Sequence, residues 1–231
     1  MIMKKTLSFI VSVVLSLSMF TGCTATKVND VVSIPSIKQL QPPSKSSDIA
    51  VITTSMGIIK IRFFPEEAPK AVENFIALAK GGYYDGLTFH NVVNNNTIQT
   101  GDPTGTGSGG ESIWKERFAD ELHPQLGHIY GAVSMANSGK DTNGSQFFIV
   151  TNNDTSSELI ADLKTAKYPQ DLIDAYAQLG GLPALNGNNT IFGQVIEGMD
   201  IAKKISQVST DIENVPIEPV MVQSIVIEKV Q

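Results

Sequence analysis

A single cysteine, Cys23, in 231 residues excludes any disulfide within the chain. Long apolar runs are missing too. The stretch from Leu7 to Phe20 is shorter than the roughly 20 apolar residues that a membrane-spanning helix requires. Positive charge is in short supply, with 17 Lys and Arg against 23 Asp and Glu and a formal charge of −6. An acidic surface argues against nucleic acid or anionic headgroups as partners. His90, His123 and His128 fall in no metal-ligand spacing with carboxylates or cysteine, and His123 and His128 read as surface or turn residues. No G-x-x-x-x-G-K phosphate loop occurs. Gly105 to Gly110 spells G-x-G-x-x-G, but Pro103 precedes it and no apolar helix follows, so the strand-to-helix context of a dinucleotide site is absent. Ser145, in Gly144-Ser145-Gln146, has no base to pair with and is no nucleophile elbow.

What is present begins with an export pattern: Lys4-Lys5, the apolar run, then Thr21-Gly22-Cys23. The pattern resembles a bacterial lipobox, with Phe20 where Leu is usual. It places a lipid such as palmitate on Cys23 and the protein on the outer side of a membrane. The alternative is an ordinary secretory signal in which Cys23 is incidental. From Thr24 to Asp48 aromatics are few and Ser, Thr, Lys and Pro abundant, so this segment is expected to stay disordered as a tether. The predicted organisation is a signal over 1–22, a lipidated Cys23 with its tether over 23–48, and one domain over 49–231.

Within that domain Ile59, Ile61 and Phe63 alternate with Lys60 and Arg62, and Ile49 to Thr53 precedes them across Ser55-Met56-Gly57, which predicts a β-hairpin with one buried face. Pro69, then Val72, Phe75, Ile76 and Ala79 at helical spacing, and finally Gly81-Gly82 predict a helix. Short β-branched or aromatic segments follow at Gly131 to Ser134, Gln146 to Thr151, Ile191 to Val195 and Met221 to Lys229. A second amphipathic stretch carries Ile201, Ala202, Ile205 and Val208. The expected fold is mainly β, a closed or nearly closed antiparallel barrel with two flanking helices. Leu159, Ile160 and Leu163, then Leu172, Ile173, Tyr176 and Leu179 behind Pro169, predict an inserted helical pair near 156–180. That pair is either a wall of the site or a packed surface elaboration.

Two stretches carry the chemistry: Thr88 to Asp102, TFHNVVNNNTIQTGD, and Met135 to Thr151, MANSGKDTNGSQFFIVT. Together with Gly110-Glu111-Ser112-Ile113-Trp114 and Phe192-Gly193-Gln194-Val195 they resemble the paired signatures of the cyclophilins, and of bacterial lipoprotein members in particular. The resemblance implies a closed eight-stranded antiparallel barrel capped by two helices. It implies peptidyl-prolyl cis-trans isomerase activity, exercised by a monomer without metal or cofactor on X-Pro segments of unfolded or exported polypeptides. Carried over by position, His90 is the pocket histidine, and Gln99 and Gln146 orient the catalytic cation and contact the substrate carbonyl. Ala136 and Asn137 hold the peptide backbone, while Phe148, Leu185 and Phe192 line an apolar pocket for the proline ring.

Five positions depart from that pattern. Asn91 stands at the family's catalytic arginine, Asn96 at a pocket phenylalanine, Thr97 at methionine, Ala184 at tryptophan or histidine, and Asn189 at histidine. Asn91 keeps an amide donor but is neutral and shorter than arginine, so turnover is expected to fall. Two functions follow: a tethered isomerase, or a binding or chaperone module that kept the peptide groove and lost the chemistry.

Overall fold

The computed structural model describes residues 37–231. The signal segment, Cys23 and the first part of the tether lie outside the described residues.

Alternation of apolar and polar residues produces the first hairpin as expected, β1 (Asp48–Thr54) and β2 (Gly57–Phe63). The helix α1 (Pro69–Lys80) starts on its proline. Ala68 supplies no side-chain cap; the Glu121 carboxylate instead accepts the N–H groups of Lys70 and Ala71 at 3.0 and 2.9 Å, placing negative charge at the positive end of the helix dipole. Next come β3 (Asn91–Val93), β4 (Thr97–Thr100), β5 (Ala132–Met135) and β6 (Phe147–Val150). The predicted helical pair is α2 (Ser157–Thr165), capped by the Ser156 hydroxyl, and α3 (Gln170–Leu179). The chain closes with β7 (Ile191–Glu197), α4 (Met199–Ser206) and β8 (Val222–Lys229).

The eight strands form one antiparallel sheet in the order β3-β4-β6-β5-β7-β2-β1-β8. It curls around a core in which Phe75 of α1 meets Phe63, Tyr84, Phe147 and Phe192 with ring centroids 5.2–5.6 Å apart. The closed barrel anticipated from sequence is met only in part. β3 and β8 remain the two edges, and between them run an isolated bridge, Thr88 to Met221, and single backbone bonds such as Phe89 N–H to Val220 O at 2.9 Å. Gly86 N–H donates to Val222 O at 2.8 Å and Val222 N–H to Leu87 O at 2.7 Å, but no continuous ladder joins the two edge strands, so the curled sheet stays open along this seam.

Residues 37–48, assigned to the tether on composition, differ from that expectation. Ile37 is buried among Ile129, Leu163, Leu172, Ile173 and Tyr176, the apolar cluster that α2 and α3 build beside the sheet. Gln39 is fully buried: its amide donates to Gly127 O and Gln194 Oε1, both at 2.9 Å, and its oxygen accepts Gly127 N–H at 3.0 Å. Polar composition made this stretch look solvated. A glutamine with every bond satisfied costs little to bury.

Candidate active site

β3 and β4 pair so that Asn91 faces Gln99, and β4 pairs with β6 so that Gln99 faces Phe148. Because side chains alternate along a strand, Val92 and Ile98 enter the core while Asn91, Thr97 and Gln99 share the outer face, half-buried. A chain of hydrogen bonds runs across that face. Asn91 Nδ2 donates to Gln99 Oε1 at 3.3 Å, Gln99 Nε2 to Gln146 Oε1 at 2.8 Å, and Gln146 Nε2 to the carbonyls of Gly107 and Gly109 at 2.9 and 2.8 Å. Each amide is thereby fixed by the next. Asn91 Oδ1, at the head of the chain, is buried without a partner.

The glycine-rich loop at the end of this chain is held by one carboxylate. Asp102 accepts the N–H groups of Thr104, Thr106, Gly107 and Gly109 and the Thr104 hydroxyl, at 2.7–3.2 Å. Burial alone would raise its pKa; the bonds from Thr104, Gly109 and Gly107 outweigh this and hold it below the ordinary value. The letters that mimic a nucleotide loop thus serve to wall a cleft. Gly101, at φ 92°, lets that wall lie on β6, since a Cβ there would sit 2.6 Å from Ser145 O. Ser145 donates its hydroxyl to Gly101 O at 2.6 Å and is structural.

His90 is buried beside this loop. Burial pushes its imidazole below the ordinary pKa, partly offset by Asp102, Gln146 and the Thr88 carbonyl; neither ring nitrogen reaches hydrogen-bonding geometry. It is a neutral wall. The cleft encloses about 550 Å³ and is lined by His90, Asn91, Gln99, Gly105–Gly107 and Glu213–Val215. Glu213–Val215 join this lining from far along the chain. Nothing local marks that loop, which reaches β3 through one backbone bond, Val92 N–H to Asn214 O at 2.8 Å.

Other expected residues lie around Phe148 and in the loops beside it. Phe148 packs with Phe64, Leu126, Ala132, Val150 and Ile191, and Ala136 and Leu185 lean on that cluster. Asn137 donates its amide to Asp120 Oδ1 at 3.1 Å and Asn188 O at 2.9 Å, and Asn189 donates to Met135 O at 3.1 Å. Asn96 is half-buried in the β3–β4 turn, with Thr97 beginning β4, and Ala184 is exposed in a 3-10 turn over Pro183–Leu185. Phe192 is the exception. It is wholly buried inside the sheet against Phe75 and Phe147, because period two along β7 turns Ile191, not Phe192, toward Phe148. His128 also departs from its expected surface role. It is buried, stacks on Phe148 with ring centroids 5.9 Å apart, and reaches Asn186 Oδ1 at 2.9 Å and Ser134 Oγ at 3.0 Å. Burial drives its pKa down to about 4, against a smaller opposing effect of Asn186.

Residues 49–227 match the family model of the cyclophilin type peptidyl-prolyl cis-trans isomerases. The chain belongs to that family. Proteins of Staphylococcus aureus (strain USA300) and Staphylococcus epidermidis, carrying the provisional name of peptidyl-prolyl cis-trans isomerase, are 43% and 42% identical to it, each over 83% of this chain and 98% of the relative. Among solved structures, a Cryptosporidium parvum cyclophilin is 34% identical with a TM-score of 0.66, covering 80% of this chain and 99% of its own. A second crystal structure of that protein, in the presence of the dipeptide Ala-Pro, is 35% identical with a TM-score of 0.65, covering 78% of this chain and 99% of its own. The Asn91-Gln99-Gln146 chain lies on the outer face of β3 and β4, beside the start of β6.

Proposed function

We propose that this cyclophilin binds X-Pro segments of unfolded, exported polypeptides on the outer face of β3, β4 and β6 and isomerises them slowly, while a lipid on Cys23 holds it to the outer side of a membrane. An X-Pro bond turns against a barrier of about 18–20 kcal/mol set by amide resonance. A groove that favours the twisted amide lowers that barrier without any covalent step. The supporting observation is the fixed sequence Asn91-Gln99-Gln146, anchored at Gly107 and Gly109. It presents preorganised amide donors beside a cleft whose histidine is neutral. What it does not present is a cation. Asn91 therefore supplies a weaker donor to the imide nitrogen than a guanidinium would.

That same substitution favours the second reading, a binding or chaperone module without turnover. Asn96 and Thr97 add to it, since neither buries a proline ring as an aromatic or thioether would. Two assays on the full-length protein separate the readings: cis-to-trans isomerisation of an Ala-Pro tetrapeptide, and refolding of a protein limited by proline isomerisation. Acceleration of either supports the isomerase. Binding of the tetrapeptide with no acceleration in both assigns the module. For the anchor, Cys23→Ala should move the protein from the membrane to the soluble fraction; an unchanged distribution removes the lipid from the proposal.

A further inference from the structure

Beside the peptide groove lies a cavity of about 450 Å³, within the range of small-ligand sites. Its lining combines Tyr168 and Pro169 from the α2–α3 turn with Leu122, Pro124 and Leu126, together with Ile191 and Asn189. Asn189 is the position that links it to the groove, through its bond to Met135 O next to Ala136. Polar groups in this cavity are largely satisfied by one another. His128 binds Asn186 and Ser134, Asn186 also bonds the Tyr176 hydroxyl at 2.9 Å, and Asn189 is committed to Met135. The surface left facing the space is mostly apolar, with His123 and the exposed Lys167 as the polar lining residues outside this network.

We propose that this cavity is a second peptide subsite, which seats an aromatic or branched apolar side chain of the same polypeptide whose X-Pro bond occupies the groove. The proposal rests on the groove being the X-Pro site. Asn189, an expected groove residue, lines the cavity, and Ile191 lines it while packing with Phe148; this adjacency favours a segment of the bound client over any separate ligand. An unfolded client exposes the apolar side chains that its folded form buries. The subsite therefore selects unfolded X-Pro segments, and the inserted helical pair exists to build its outer wall.

The test uses the full-length protein and ten-residue peptides with a central Ala-Pro in an alanine and serine background. A single Phe is walked through every other position, and affinity is read by calorimetry. One register is expected to bind about tenfold more tightly than the parent peptide. Ala166→Arg and Pro124→Arg, both at exposed positions lining the cavity, should each abolish that gain and leave the parent peptide's affinity unchanged. A parent peptide that binds together with a flat Phe scan overturns the subsite alone. Absence of binding by every peptide overturns the groove reading as well. A Phe gain that survives both arginine variants places the contact elsewhere and also refutes the proposal. So does self-association abolished by Ala166→Arg, which would assign the cavity to a second copy.

Discussion

Asn91→Arg is the perturbation on which the site's chemistry turns. In the wild-type chain Asn91 Nδ2 lies 3.3 Å from Gln99 Oε1, at the long edge of a good bond, and Asn91 Oδ1 is buried without a partner. A buried orphan acceptor costs about 1–3 kcal/mol. Arginine removes that acceptor and adds a cation that must be partly desolvated, so the two terms oppose and the fold should keep its stability to within about 1 kcal/mol. The gain comes in the transition state. A preorganised donor on the developing charge contributes about 2.7–4 kcal/mol, or roughly 10²- to 10³-fold in rate. Gln99, already fixed by Gln146, is placed to receive the guanidinium and aim it at the imide. Glu213 lines the same cleft and competes for it, so Asn91→Arg alone should raise kcat/KM by about 10- to 10³-fold, and added Glu213→Gln should raise it further. The assay is tetrapeptide isomerisation with melting temperature and tetrapeptide affinity measured in parallel. A variant that melts and binds like wild type but shows flat turnover, with and without Glu213→Gln, refutes the reasoning.

His128 predicts an acid limb in stability: its imidazole titrates at about 4 when folded and near 6.5 when unfolded. The unfolded chain therefore binds more protons between those values, and stability present above about pH 6.5 falls as pH drops toward 4, by up to about 3 kcal/mol. Burial of His90 acts in the same direction; equal unfolding free energies by denaturant titration at pH 7.5 and 5 would contradict this. Gln39→Ala should destabilise the domain by about 1–3 kcal/mol, by leaving Gly127 N–H and its carbonyl buried and unpaired, and a change below 0.5 kcal/mol in urea unfolding would count against it. Lys203 reaches Asn95 Oδ1 at 2.5 Å and Asn153 Oδ1 at 3.0 Å, tying α4 to the turn that carries Asn96. Lys203→Met should speed amide exchange at residues 94–96 and raise KM more than it lowers kcat, with Lys203→Arg restoring both.

Period-two and 3.6-residue patterns were enough to locate β1, β2, α1, the α2–α3 pair and α4, because each buries one face and writes that requirement into its residues. Closure of the sheet was not legible. Whether β3 and β8 pair is decided between strands more than a hundred residues apart in sequence, which no local pattern encodes. The polar floor at Asn91, Gln99 and Gln146 followed from the family resemblance, while Glu213–Val215, distant in sequence, carried no signal. Phe192 illustrates a different failure. Strand alternation alone distinguishes it from Ile191, and the apolar run Ile191-Phe192 offers two candidates for one inward direction. His128 and Gln39 were misplaced for a common reason: composition sees a polar side chain, whereas burial is decided by whether Asn186, Ser134, Gly127 and Gln194 satisfy it.

The buried Gln39 sets a minimum size for any released form of this protein. A proteolytic cut ahead of Ile37 keeps Gln39 and the bonds it makes to Gly127 and Gln194. A cut a few residues later, anywhere between Leu40 and the start of β1, strips Ile37 from the helical cluster and opens the joint between that cluster and the sheet. Release within this short strap is therefore expected to damage the fold, whereas release ahead of it keeps these contacts. If the chain is anchored at Cys23, residues 24–36 separate the anchor from Ile37, a span of at most about 45 Å even when fully extended. The groove then works within one small-domain diameter of its surface, sampling chains as they emerge rather than patrolling the space beyond.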